Sequence, residues 1–291
     1  RAAHYATRIT TLSVGPDGTV WAGDDAGVVL RWRAPIDGPG VPSIEELDDF
    51  GFEAELHAVL ALEDGTIVAG GTEGLAVLES NGGLRRRFDL PVVHAAAPAG
   101  PNLVLVAAAD GAARLLDVES GEELGRIPTG ERCSGLVPRP ASSQLAAMVS
   151  NQGGSRVIWL EVRDRSLRPG DGPELRWEGD HVSGPAFDPT GSYLGAASHR
   201  FETFELRSGR CLGGIEAKGG SVRGRFGRSE APLVEAPWTR AVRFGRAFAA
   251  ASPDDGTIYL MDPATGRRTG VLDEVDGGVT ALGGHGRALV A

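Results

Sequence analysis

The side chains able to do chemistry are few and scattered. Six histidines (His4, His57, His94, His181, His199, His285) fall at one per stretch of about forty residues or fewer. None stands in the His-x-x-x-His or Cys-x-x-Cys spacing of a tetrahedral metal site, so no metal is expected. A nucleophilic serine would need a strained turn such as Gly-x-Ser-x-Gly, and none occurs; no catalytic residue is assigned. The carboxylate pairs Asp24-Asp25 and Asp254-Asp255 fall on tight turns, where aspartate is favoured for bonding its own backbone. Arg85-Arg86-Arg87 is the one basic run. Strand alternation puts Arg86 on the face opposite Arg85 and Arg87, as on a charged edge strand. Trp238 in a loop near arginines has the composition of an interface hot spot. The candidate protein-binding residues are therefore His199, Arg200, Trp238 and Arg240.

The elements that position these residues are short strands. Gly179 to Gly209 reads as strand, Asp188-Pro189-Thr190-Gly191 turn, strand, and a second turn at Ser208-Gly209. Thr10 to Gly23 and His57 to Gly70 repeat one pattern, an Asp-Gly turn between apolar, β-branched runs, the strongest short-range hairpin signal. Small residues follow (Ala22-Gly23, Ala69-Gly70, Ala107-Ala108, Ala196-Ala197, Ala249-Ala250), which suits second strands packed close to an axis. A later turn recurs near positions 27, 74, 111, 154, 200 and 256. The mean spacing, about 46 residues, is close to the period of four-stranded propeller blades. No stretch has the length and 3.6-residue period of an amphipathic helix.

The expected fold is all-β: one β-propeller domain over residues 1–291, of four-stranded antiparallel blades. Six units are complete, at 9–55, 56–91, 92–131, 132–178, 179–240 and 241–276. A seventh begins at Gly278 and is incomplete, so the expectation is seven blades, with Arg1–Thr7 as a closing strand. That unit stays one strand short, which implies a natural chain running past Ala291. Insertions are expected near 34–55, where Glu45-Glu46-Leu47-Asp48-Asp49 reads as a helical turn, and near 219–239.

Composition narrows the function classes. A net charge of −10 argues against sequence-independent nucleic-acid binding. No apolar run approaches a membrane span, and no secretory signal is visible at Arg1–Ala6. Lys218 is the one lysine among 29 basic residues, a bias that suggests a GC-rich bacterial genome. Cys133 and Cys211 fall in different units and are expected as two reduced, packed thiols in a cytoplasmic protein.

The repeats resemble the WD-repeat β-propeller family. Asp180-His181 with Phe187-Asp188-Pro189-Thr190-Gly191 matches the first half of its pattern, and Asp255-Gly256-Thr257-Ile258-Tyr259-Leu260-Met261-Asp262 the second. Asp110–Asp117 matches that second half again. Trp32 and Trp159 stand at the tryptophan position, Leu116 and Met261 elsewhere. No Trp-Asp dipeptide occurs, and Arg200 and Phe204 replace the family's Asp and Trp in the block that holds His181 and Ser198. The resemblance implies a non-enzymatic scaffold or sensor binding a protein or peptide without a cofactor, as the recognition module of a larger bacterial signalling or effector protein. The alternative is a propeller enzyme of lactonase, lyase or quinone-dependent dehydrogenase type, which would ring its axis with Asp, Glu, Asn or His.

Overall fold

The computed structural model describes residues 8–15, 17–33, 44–47, 51–151, 154–177, 182–197, 200–216, 242–251, 257–272, 282–285 and 288–290. Among them every regular element is a strand. Blade I comprises β1 (Ile9–Val14), β2 (Thr19–Asp24), β3 (Val29–Arg33) and β4 (Glu45–Leu47). Blade II comprises β5 (Leu56–Ala61), β6 (Ile67–Gly71), β7 (Gly74–Leu78) and β8 (Leu84–Phe88). Blade III follows as β9 (Val93–Gly100), β10 (Leu103–Ala108), β11 (Ala112–Asp117) and β12 (Glu123–Pro128). Blade IV holds β13 (Arg132–Pro138), β14 (Gln144–Asn151), β15 (Gly154–Arg163), β16 (Ser166–Pro169) and β17 (Arg176–Trp177), the last two pairing different parts of β15. Blade V holds β18 (Ser183–Phe187), β19 (Tyr193–Ala197), β20 (Arg200–Glu205) and β21 (Arg210–Glu216). Blade VI holds β22 (Val242–Phe244), β23 (Ala247–Ala251), β24 (Ile258–Met261) and β25 (Arg268–Leu272).

Each blade is an antiparallel meander, and the six fall inside the six repeat units read from the sequence. First strands β1, β5, β9, β13, β18 and β22 pack on their neighbours in that order, which places them around an axis. The blade count differs from expectation. Among the described residues there are six blades, not seven, five of four strands and blade IV of five; the last repeat yields one hairpin, β26 (Gly283–His285) with β27 (Ala288–Val290), whose first strand packs against β22 and β1. Arg1–Thr7, expected as a closing strand, lies outside the described residues.

Two local rules explain why this sequence makes blades. Asp17 and Asp64 each accept bonds from the backbone N–H and hydroxyl of the threonine two residues on, at 2.7–3.0 Å, which closes the first hairpin turn. The turn after the third strand is closed the same way: Asp117 bonds Ser120 and Asp262 bonds Thr265, both at 2.8 Å. Second strands are buried end to end in blades I, II and III. Their small residues are required by close approach. A Cβ at Gly23 would sit 2.8 Å from Leu56 Cβ and 2.9 Å from Val59 Cγ2, on the neighbouring blade.

Glu45–Leu47, expected as a helical turn, is strand β4 instead. Leu47 lies opposite Val29 and packs in the blade I–II core, while Glu45 lies opposite Arg31 and pairs with it. A cross-strand partner and an apolar contact decide the conformation that the acidic composition left open. The second insertion, near 219–239, lies outside the described residues.

Arginine forks fasten blade to blade. Arg31 Nη1 donates to Ser80 O at 2.5 Å, Arg86 Nη2 to Glu119 O at 3.3 Å, and Arg139 Nε to Gly191 O at 2.9 Å. Arg165 Nη2 reaches Asp117 at 2.5 Å from a turn in which Asp164 and Arg165 both have positive φ (50° and 59°). The Arg85–Arg87 run is an outer edge strand as expected, with Arg86 turned toward blade III and Arg87 the other way, over Phe52 and onto Gly51 O. A planar fork that bonds a carbonyl or carboxylate while its stem covers apolar surface suits these crossings better than an ammonium.

The cysteines are unbridged, and only one is packed. Cys133 is buried and its thiol is pushed up to about 12 by burial; Cys211 is exposed, because its position in the outermost strand β21 faces solvent. A maleimide reagent is expected to label one thiol, Cys211, in the native protein, and both in denaturant. Rapid labelling of both under native conditions would contradict this burial. No helix among the described residues is long and apolar enough to cross a membrane.

Candidate functional site

The first strands define a central channel. Its cavity, about 220 Å³, is lined by Leu12, Val14, Val59, Leu136, Val242 and Leu282 with Ser13 and small residues between them. Among the described residues no carboxylate or imidazole lines it, and no group of three His, Cys, Asp or Glu gathers to hold a metal.

One mouth of the channel is set by a repeated bulge. The register slips at Thr10, His57 and Ser134, and between Val93 and Ala95 at His94, so one extra residue enters each first strand. At two of these bulges the side chain crosses to the next blade: Thr10 Oγ1 donates to Leu56 O and Ser134 Oγ to Val182 O, each at 2.5 Å. His57 and His94 occupy the equivalent positions, with ring centroids 5.8 Å apart. Burial, the nearby Arg132 charge and His57 together hold His94 below the usual histidine range, so it is neutral at neutral pH. The bulges thus give these two histidines a structural place at the mouth, in the blade II–III seam.

The opposite mouth lies where first strands end and turn. There a groove of about 480 Å³ runs from the channel across blades III, IV, V and VI. Pro98, Pro138, Pro140 and Pro185 line it with Val137, Ala186, Phe187 and Val242, and the basic side chains are Arg139 and Arg243. Pro185 and Val242 also line the channel, so groove and channel are continuous. Phe187 is a buried wall, its ring 6.3 Å from Trp159, whose Nε1 donates to Pro173 O at 2.9 Å. Arg139 is fixed: besides Gly191 O, it bonds Gln144 Oε1 at 2.9 Å, and Gln144 is itself tied to Asp171 O at 2.7 Å. Arg243 is half-buried in β22 opposite Phe248 and makes no ion pair among the described residues.

A larger concavity, about 640 Å³, opens between blades I and II beside Trp21, Trp32, Glu45, Glu63 and Asp64. Its cation site is already filled from within: Arg31 lies 5.4 Å over the Trp21 ring and is paired with Glu45. The groove, by contrast, keeps an open apolar floor and a guanidinium, Arg243, with no ion pair among the described residues, and it is the better binding site despite its smaller volume.

Three of the sequence candidates, His199, Trp238 and Arg240, lie outside the described residues. Arg200 opens β20, and its backbone pairs with Glu216. It stands at the β19–β20 end of blade V, away from the β18–β19 turn that borders the groove. The groove residues escaped the sequence reading because each is an unremarkable strand end. A signal was present nonetheless: proline recurs at or two residues before first-strand ends, at Pro98, Pro138 and Pro185.

Six meander sheets around a common axis define a β-propeller. No family model matches the chain, and no curated protein matches it in sequence.

Proposed function

We propose that this propeller is a divergent WD-repeat-type recognition scaffold that binds a peptide segment of a protein partner in the groove at the turn-bearing mouth. The observation that carries the reading is that groove: an apolar trough with a volume in the range of ligand sites, walled by rigid prolines and edged by two guanidiniums. Prolines and a fixed arginine hold its shape before any ligand arrives, which lowers the ordering cost of binding. Role in a larger signalling or effector protein, bacterial origin and a cytoplasmic setting belong to the same reading, supported by the WD-like turn pattern and the arginine bias. The alternative of an axial enzyme draws no support from the apolar side chains that line the channel.

The test is selection of a random peptide library on the folded protein, followed by rebinding to a Pro98→Trp/Pro138→Trp variant. Both prolines are exposed, so the indoles fill the groove without entering the core. Enriched peptides are expected to lose at least about tenfold in affinity, the scale of one buried contact residue. Peptides that bind the variant equally well, or a library that enriches nothing, would overturn the reading.

A further inference from the structure

We propose that the groove selects peptides that set carboxylates beside aliphatic side chains, with Arg243 as the ion-pairing residue and Arg139 as a fixed second donor. This rests on reading the groove as a peptide site. Three observations carry it. Local charge is the first. The chain is acidic overall, at −10, yet no carboxylate lines the groove among the described residues, while two arginines do. A basic peptide would meet like charge there, and an acidic one would meet the opposite.

Donor chemistry is the second. Pro98, Pro138, Pro140 and Pro185 have no backbone N–H, so those walls cannot bond a peptide carbonyl as a sheet edge would. The side-chain donors facing the groove are the guanidiniums. Arg139 has Nε and Nη1 committed, to Gly191 and Gln144, which leaves Nη2 held in a set position. Arg243 has no ionic partner among the described residues. A half-buried guanidinium is poorly solvated and gains from a carboxylate through paired, charge-assisted bonds.

Apolar surface is the third. Phe187, Ala186 and Val242 lie beside these cations, so a ligand that brings charge alone leaves the floor uncovered, while one that brings leucine or valine alone offers nothing to the guanidinium of Arg243. The ligand that satisfies both alternates the two.

The experiment measures fluorescence anisotropy of three labelled octapeptides of one design, two leucines flanked by glutamates, lysines or glutamines. Wild type, Arg243→Glu and Arg243→Gln are compared at about 50 mM and about 500 mM salt, which straddle the range over which surface charge is screened. The glutamate peptide is expected to bind at least about tenfold more tightly than the lysine peptide. Arg243→Gln should cost it about tenfold and Arg243→Glu more, and high salt should narrow the gap between peptides. Equal binding of the three peptides to wild type overturns the charge preference while leaving the groove as a peptide site. Tighter binding of the lysine peptide, or glutamate-peptide binding untouched by both Arg243 variants, overturns it too. If none of the three binds while library peptides do, the charge inference falls alone; if the library also fails, both fall. Arg243→Gln keeps a polar, hydrogen-bonding side chain without the charge, so a melting temperature matching wild type separates loss of binding from loss of fold.

Discussion

Arg114→Ala is expected to cost about 3 kcal/mol of stability, read by urea unfolding, and to lower the melting temperature by about 5 °C. Arg114 sits in the middle of β11 with its side chain 2% exposed. Its Nη1 donates to Asp110 Oδ1 at 3.0 Å, its Nη2 pairs with Asp110 Oδ2, and its Nε lies 3.4 Å from Glu123 Oε2. Arg126, directly opposite on β12, holds the other side of Glu123 at 2.8 Å. Removing the guanidinium leaves a void against Val106 and strips both carboxylates of their buried counter-ion. Each carboxylate is about a third exposed, at 36% and 31%, and so rehydrates, which keeps the cost at the low end for a broken buried pair. Arg114→Met, which keeps the stem, should cost about 1 kcal/mol, since the packing survives without the charge. Equal losses in the two variants would show that packing plays no part.

The same network sets a pH signature. The Arg114 bond holds the Asp110 carboxyl below its usual range, and Arg126 does the same for Glu123. Burial pushes Asp117 up, but bonds from Ser120, the Glu119 backbone and Arg165 outweigh it and bring it to about 2. Lowered folded values mean that the unfolded chain binds these protons first on acidification. The stabilisation is complete above the ordinary carboxylate range near 4 and is lost as pH falls through the folded values. The difference between wild type and Arg114→Ala should therefore shrink below about pH 4, because wild type loses there what the variant already lacks. A gap independent of pH down to acid unfolding would assign the cost to packing alone.

What was legible in the sequence is what is decided locally. Asp17-Gly18-Thr19 and Asp64-Gly65-Thr66 close their own turns, so three adjacent residues suffice to place two strands. Alanine and glycine in second strands announce close packing because the neighbouring blade always stands at the same distance. Glu45–Leu47 was not legible as a strand because its partner, Arg31, is 14 residues from Glu45 in the chain and no local rule pairs them. The blade count failed for a related reason: the repeat after Gly278 has the signature of a first hairpin, which is shared by a whole blade and by the two-stranded β26–β27 sheet. Two cysteines in different units say nothing of which strand is outermost, and position in the outermost strand decides that Cys211 is exposed. The groove needed four blades at once. Pro98, Val137, Phe187 and Val242 are far apart in the chain and meet only because each ends, or nearly ends, the innermost strand of its blade. Repeat position, not residue type, is the signal that joins them.

Gly135→Val is expected to destabilise the ring at a close contact between the first strands of blades IV and V, by about 3 kcal/mol, and to weaken peptide binding in the same step. Gly135 follows the bulge at Ser134 in β13 and faces Pro185 of β18. A Cβ there would penetrate the van der Waals surface of Pro185 Cδ and stand 3.2 Å from Cγ. The proline ring cannot swing aside as a flexible side chain would, so the two strands must part. Parting them also stretches the bond from Ser134 Oγ to Val182 O, which ties blade IV to blade V at 2.5 Å. Pro185 lines both channel and groove, and its displacement moves a wall of the binding site. Pro185→Ala removes the colliding ring atoms, so the double variant should be more stable than Gly135→Val alone, a coupling that additive costs would not produce. The double variant should nonetheless fail to restore full peptide affinity, because the wall that Pro185 provides is gone. Recovery of stability without recovery of binding would separate the part of the collision that belongs to the fold from the part that belongs to the groove; full recovery of both would mean that Pro185 is not a wall of the binding site.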